Sequence, residues 1–310
     1  MDFLCIGQMV ADILVKPVDT LDFAIDTHKV DLISLKGGGD SYNVATALAK
    51  LGGKVAFAGK CGNDSLGDFL CNTAATNNID ISTVIRTDEI ATSSVVIPIN
   101  SQGERVFFNY GGANDTLAVA DIDLSRLDDG CKIVHIGGAF SLPKIDGEGA
   151  AKIFKIAQQK NVITSMDVTG DTTGRWLSLI EPCLKYLDFF SPSLYEATRI
   201  TGEEEPEKIA GFLLDKGVKN VILKLGKEGC YVNDGSNSFF LPAFDVPVVD
   251  TTGAGDCFVA GFLTGLGKKW SLKQCALFAS AVASGCIGQI GATTGVPTFV
   301  ETLKLVELHS

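Results

Sequence analysis

Val249-Asp250-Thr251-Thr252-Gly253-Ala254-Gly255-Asp256 stands directly before residues 257–266, a run that is apolar almost all round. Such a run reads as a buried helix. The small residues at 253–255 let the backbone turn tightly and come close to a ligand. The first N–H groups of the following helix have no intrahelical partners and lie at the positive end of its dipole. That is a place for the charge that builds on a transferring phosphoryl group. Asp256, at the mouth of the turn, is placed to take a proton from an attacking hydroxyl. An acidic residue at a helix start also serves simply as a cap, so from this octapeptide alone the two readings stand level.

Working outward, strands and helices alternate. Residues 3–7 read as a strand. Val44, Ala47, Leu48 and Leu51 fall at i, i+3, i+4 and i+7 within 41–51, which predicts a helix facing a core. Residues 54–59 read as a strand, and Leu66, Phe69 and Leu70 begin a helix behind Asp64 as its N-cap. The rhythm continues with strand 132–137, helix 148–159, strand 162–167, helix 206–216 and strand 220–225. It predicts an α/β fold whose central, mostly parallel sheet is flanked by helices on both faces. Two regions break the rhythm. Strand-like pieces at 12–15 and 30–35, and a hairpin of 93–99 and 105–110 around Asn100-Ser101-Gln102-Gly103, predict a small second β-sheet. With no linker or repeat, residues 1–310 read as a single domain in which insertions at about 11–36 and 93–112 form a lid, or pair with a second copy of the chain.

Composition narrows the function. A net charge of −11 lacks the electrostatic footprint of a nucleic-acid binder, yet a nest of backbone N–H groups holds phosphate on an acidic protein too. The opening Met1-Asp2-Phe3-Leu4-Cys5-Ile6-Gly7 has no basic region and runs into a strand, unlike a signal peptide. No apolar stretch reaches the roughly 18–20 residues of a membrane span. A cytoplasmic protein is expected, with no membrane partner. Nine cysteines without a C-x-x-C pair suit reduced buried thiols better than a disulfide framework or a zinc site. Gly253-Ala254-Gly255 lacks the third glycine of a dinucleotide fingerprint, and Asp68 stands where a P-loop starting at Gly62 needs lysine.

The motifs in order resemble the ribokinase-like carbohydrate kinases, the PfkB family. Asp250 to Asp256 followed by a buried helix is similar to the family's C-terminal signature. Gly7-x4-Asp12-x4-Pro17, then Gly38-Gly39-Asp40-Ser41-Tyr42-Asn43-Val44-Ala45 ending at Leu51-Gly52, resemble its N-terminal motifs. Gly103-Glu104-Arg105 and Gly112-Ala113-Asn114 resemble the lid hairpin and the return from it, and Leu225-Gly226-Lys227-Glu228-Gly229 the nucleotide loop. The resemblance covers nearly the whole chain. It implies an ATP-dependent kinase acting on a hydroxyl of a sugar or sugar acid. Asp256 would be the base, and Gly253, Ala254 and Gly255 the anion hole. Asp12, Gly38, Gly39, Asp40 and Asn43 fall on the substrate side; a carboxylate and an amide bracket vicinal hydroxyls as acceptor and donor. Ser193, Glu196, Lys224, Gly226 and Gly229 fall on the ATP side, with residues 244–248 and the small-residue helix 279–288 walling the adenine. Glu196 would reach Mg²⁺ through water. Asp250 and Thr252 match two ligand positions for a monovalent cation, K⁺, whose cage carbonyls near 286–291 would complete.

Three departures from the family's pattern stand out. Asp40 and Tyr42 replace the small residues or lysine of many relatives, and Asp40 is open to a further hydroxyl or a cationic group. Ser193 replaces the asparagine of Asn-x-x-Glu. Gly295 lies where a serine side chain contributes to the cation cage. The rival readings are a nucleoside kinase of the same fold, with Phe107, Phe108 and Tyr110 clamping a base, and a catalytically silent sugar sensor.

Overall fold

β1 (Phe3–Gly7) is buried at every position. Leu4 and Ile6 pack into one core cluster and Phe3 and Cys5 into another, the two-residue alternation of a strand covered on both faces. β4 (Val55–Ala58) divides the same way, Ala56 and Ala58 against Val55 and Phe57. The computed structural model describes residues 1–24 and 26–309; Ile25, within the first expected insertion, lies outside the described residues.

The central sheet also contains β9 (Ile133–Ala139), β10 (Ile163–Val168), β11 (Phe189–Phe190), β12 (Asn220–Lys224), β13 (Cys230–Asn233) and β14 (Ser238–Leu241). Its order is β14-β13-β12-β11-β10-β9-β1-β4. All neighbours are parallel except β12–β13 and β13–β14. One face is covered by α3 (Glu148–Gln159), α4 (Leu177–Leu184), α5 (Leu194–Thr201) and α6 (Pro206–Asp215). The other carries α1 (Asp40–Lys50), α2 (Ser65–Thr76), α7 (Ala254–Gly267), α8 (Leu272–Cys286) and α9 (Phe299–His309). The C-terminal ends of the parallel strands gather Gly7, Gly138, Asp167 and Lys224, and an open α/β sheet offers its binding crevice there.

A second sheet stands apart, in the order β3-β2-β7-β8: β2 (Val10–Lys16), β3 (Leu32–Gly38), β7 (Ser94–Pro98) and β8 (Phe108–Tyr110). β3 starts later than the expected 30–35 and runs on through the glycines, because β2 pairs with it as far as Val10↔Gly38. The second arm of the hairpin is shorter than 105–110. Asn100 Oδ1 accepts from Gln102 N and Glu104 N, which spends the intervening residues on a wide turn; Ile99 and Arg105 form only an isolated bridge. A two-strand pair of β5 (Lys60–Gly62) and β6 (Ile85–Thr87), absent from the sequence reading, flanks α2 in the chain as a third sheet. Asp64 is the N-cap of α2 as expected, accepting from Gly67 N at 2.8 Å.

α7 is buried from Cys257 to Gly265. It lies close against α8 because a Cβ at Gly261 would come within 2.7 Å of Ala279 Cα, and one at Gly265 within 2.7 Å of Cys275 Sγ. The backbone behind Asp256 is therefore fixed by helix–helix contact. Gly261→Val is expected to lower unfolding stability by about 1–3 kcal/mol through overpacking, read as a lower urea midpoint at unchanged slope. A variant as stable as the parent would contradict this packing.

Candidate active site

Gly253 is the N-cap of α7 and takes φ +73°, with no side chain capping the helix. A Cβ there would lie 2.2 Å from Ala292 O, so both conformation and space demand glycine. The helix begins at Ala254, three residues before the expected 257, because Gly253 makes the turn alone. Gly255 and Asp256 consequently lie in its first turn, where the N–H groups have no helical acceptor. Lys224, the last residue of β12, brings its ammonium to the same point: a Cβ at Gly255 would stand 3.4 Å from Lys224 Nζ. Ammonium and first-turn N–H groups face a cavity of about 760 Å³, lined on this side by Gly253, Ala254, Gly255, Asp256 and Lys224.

The same cavity gathers carboxylates. Asp40, Asp167, Glu196 and Asp256 all line it. Burial raises the pKa of Asp256 well above the usual carboxylate range, Asp40 and Asp167 add to the rise, and Asn43 and Lys224 oppose it. Asp40 is likewise pushed up, to about 7, by burial and then by Asp167. Burial alone would lower Lys224, but Asp167, Glu196, Asp256 and Asp40 outweigh it and hold the ammonium charged. Asp167 Oδ2 is 3.8 Å from Lys224 Nζ, and its Oδ1 accepts from Gly138 N at 2.8 Å. Beneath it, burial lowers His135 to about 4, so the imidazole is neutral near pH 7. Asp167 was missed in the sequence; its position at the end of strand 162–167 was the available signal.

Asp12 and Asn43 approach from the second sheet and α1. Asn43 Nδ2 donates to Asp256 Oδ2 at 2.8 Å, while its Oδ1 is buried with no hydrogen-bond partner. Asp12 is raised to about 7 by burial. A Cβ at Gly38 would stand 2.1 Å from Asp12 Oδ2, so the carboxyl occupies the room that glycine leaves. Gly39 is the N-cap of α1, which places Asp40 first in that helix. The cavity wall includes Asp40 and Asp256 but not Asp12, Gly38, Gly39 or Asn43; the two groups meet at the Asn43–Asp256 bond. Tyr42, a departure in the sequence, turns away from the cavity: it is 2% exposed and donates to Leu70 O at 2.9 Å.

On the other side Ser193, Glu196, Gly226 and Gly229 line the cavity with Phe244, Asp245, Val246, Val248 and the α8 residues Ser280, Ala283 and Ser284. Ser193 has a structural reason to be serine. It caps α5, accepting from Glu196 N while Glu196 Oε2 accepts from Ser193 N at 2.7 Å, a capping box. Burial opposes charge on Asp250, but hydrogen bonds from Thr252 and Gly291 and the charge of Arg105 outweigh it and keep its pKa below the usual range. Arg105 Nη1 reaches Asp250 Oδ1 at 3.3 Å and also Thr252 Oγ1. The hairpin of the second sheet is thereby tied to the anion turn, a contact that the sequence reading did not contain. At Gly295 a Cβ would stand 2.5 Å from Gly285 O and 2.8 Å from Cys286 O, so carbonyl oxygens fill the place of a side chain.

Known proteins resemble this chain in sequence and fold. The family described as pfkB family carbohydrate kinase matches residues 2–299. A probable fructokinase-5 of Arabidopsis thaliana is 30% identical over 309 residues, covering 94% of this chain and 95% of that protein. A 2-dehydro-3-deoxygluconokinase of Bacillus subtilis is 31% identical over 285 residues, covering 87% and 86%. An Arabidopsis thaliana ribokinase solved with ribose and ATP superposes with a TM-score of 0.85 at 26% identity, covering 99% of this chain and 98% of that one. With a family match that spans nearly all of its length, the chain belongs to the pfkB family of carbohydrate kinases.

Proposed function

We propose that this carbohydrate kinase moves the γ-phosphate of ATP to a hydroxyl of a sugar or sugar acid, with Asp256 as general base. The observation that carries the reading is the Asn43–Asp256 hydrogen bond at the first turn of an uncapped helix facing Lys224. It joins a polar, partly unsatisfied pocket to a phosphate-sized anion site. Relatives that carry the names fructokinase and 2-dehydro-3-deoxygluconokinase support a sugar or sugar acid as acceptor.

In this reading Asp12, Gly38, Gly39, Asp40 and Asn43 hold the sugar, the orphaned Asn43 Oδ1 accepting a hydrogen bond from one hydroxyl. Gly253, Ala254 and Gly255 turn N–H groups toward the transferring phosphoryl. ATP lies along Lys224, Gly226, Gly229, Ser193 and Glu196, with its base between residues 244–248 and α8. Among the described residues no three His, Cys, Asp or Glu side chains are grouped to hold a metal by themselves. That fits Mg²⁺ carried on nucleotide phosphates, with Glu196 reaching its water. Asp250 and Thr252, with carbonyls near 286–291, would offer oxygen donors of the kind K⁺ takes, at a turn where Arg105 now meets Asp250 and Thr252. When bound, the cations supply charge neutralisation at the phosphates.

The second sheet acts as the lid of a single kinase domain. Lys36, Asp12, Val95 and Asn109 stand in one cross-strand row; Leu35, Ile13, Val96 and Phe108 form the next. Neighbouring rows face opposite ways. With Asp12 toward the site, the second row faces out, and Leu35, Val96 and Phe108 are exposed. An apolar row between two sheet edges suits pairing with a second copy.

Asp256→Asn is expected to keep the fold and lower kcat by about 10²–10⁴, measured as ADP release with sugar; turnover near that of the parent would remove Asp256 from the mechanism. The base must be ionised, so the rate should fall as pH drops through the raised value of Asp256. A flat profile from pH 8 to pH 5 would contradict this. Replacing K⁺ by tetramethylammonium should slow turnover several-fold, and equal rates would exclude the cation role. Light scattering should give the mass of a dimer; a monomer at assay concentration would reject the outward row as an interface.

A further inference from the structure

Cys61, in β5, and Cys71, in α2, place their sulfurs 3.9 Å apart, away from the cavity. Cys61 is fully buried and Cys71 is 8% exposed. Arg86 is the partner of Cys61 in the β5–β6 register. Its Nη2 donates to Asp68 Oδ1 at 2.8 Å, one turn before Cys71, while its Nε is buried with no hydrogen-bond partner. A guanidinium held this way favours charge on a neighbouring sulfur. Hydrogen bonding from Cys61, and then Arg86, hold Cys71 down at about 6, whereas the bond to Cys71 and burial push Cys61 up. Either sulfur could donate across the contact; the neighbouring Arg86 favours Cys71 as the thiolate and Cys61 as the donor. By contrast, burial pushes up Cys5, Cys131, Cys183, Cys230 and Cys275.

Both halves of the pair bear on the sheet that carries Asp12. Leu70, beside Cys71, supplies the carbonyl that anchors Tyr42 Oη. The Tyr42 ring in turn supports Gly37, where a Cβ would stand 2.8 Å from Tyr42 Cε1. Gly62, beside Cys61, donates to Thr92 Oγ1 at 2.9 Å, and Thr92 leads through Ser93 into β7. A disulfide needs its sulfurs about 2.05 Å apart. Closing the pair by a movement of α2 or β5 would disturb one or both of these supports.

We propose that Cys61 and Cys71 form a peroxide-sensitive switch whose closure weakens the hold of the second sheet and α1 on the sugar. The Cys71 thiolate attacks a hydroperoxide; an S–O bond forms, the O–O bond breaks, and hydroxide or alkoxide leaves, giving a sulfenic acid. The Cys61 sulfur then attacks the Cys71 sulfur. The S–S bond forms, the S–O bond breaks, and the Cys61 proton leaves with the hydroxyl as water. Two electrons pass from the sulfurs to the peroxide, and a dithiol returns them by exchange. The kinetic consequence rests on the proposed roles of Asp12 and Asn43; the cross-link does not.

The test treats the full chain with hydrogen peroxide, quenches with catalase, alkylates free thiols and maps peptides without reduction. A Cys61–Cys71 link forming ahead of any change at the other seven cysteines, and reversed by dithiothreitol, is expected. In Cys61→Ala the reaction should stop at a dimedone-reactive sulfenic acid on Cys71. First oxidation elsewhere, a Cys257–Cys286 link included, or no reaction at Cys71, overturns the proposal. With D-ribose, D-fructose and 2-dehydro-3-deoxy-D-gluconate as probes, the oxidised protein should show a several-fold higher KM for the sugar it turns over and an unchanged KM for ATP. Cys71→Ala should keep its KM through the same treatment. A link that leaves the sugar KM unaltered would overturn the switch while the chemistry stands.

Discussion

The ammonium of Lys224 is what allows four carboxyl groups to share the end of one sheet. Asp40, Asp167, Glu196 and Asp256 each act on it, and together they outweigh the cost of burying its charge. Unpaired carboxylates in a buried space drive one another toward protonation. Asp40, pushed up to about 7, and Asp256, raised well above its ordinary value, both show that drive. The fold supplies the cation at the right place because β12 ends at Lys224, bridged to Ser193 where α5 begins. Strand ends, helix starts and charge thus converge at one point, and a negatively charged phosphate entering there meets Lys224 and the open N–H groups of α7 together.

That convergence also explains the division of the cavity. Asn43 reaches Asp256 from α1, and Asp12 stands over Gly38 from β2, so in the proposed reading the second sheet and the helix that follows it would build the acceptor side. The opposite wall, from β12, α5 and α8, would then be the nucleotide side. Arg105 ties the two through Asp250 and Thr252.

Much of this was legible in the sequence, and the reasons are local. The runs at 3–7 and 220–225 are near-continuous apolar stretches, as strands covered on both faces are, and 148–159 carries a 3.6-residue period; they became β1, β12 and α3 with at most one residue of difference at an end. The turn at Gly253 was readable because only glycine tolerates its position. Asp167, Arg105 and Tyr42 were not readable. What each does depends on a partner far away in the chain: Lys224 for Asp167, Asp250 for Arg105, Leu70 for Tyr42. The short β5 and β6 were hidden for a related reason, since three residues hold no period and gain their structure from pairing. Ser193 looked like a loss in the sequence and is a helix cap in the fold.

The central claim is that Lys224 helps hold Asp256 ionised against burial and its neighbouring carboxyl groups. The pH dependence of kcat for Lys224→Met, at saturating ATP and sugar, tests it most directly. Removing the ammonium removes one of the two groups that oppose the raised pKa of Asp256, the Asn43 amide being the other, so the acid limb of the profile should move to higher pH relative to the parent. An acid limb that stays in place, whatever the change in absolute rate, would contradict the account.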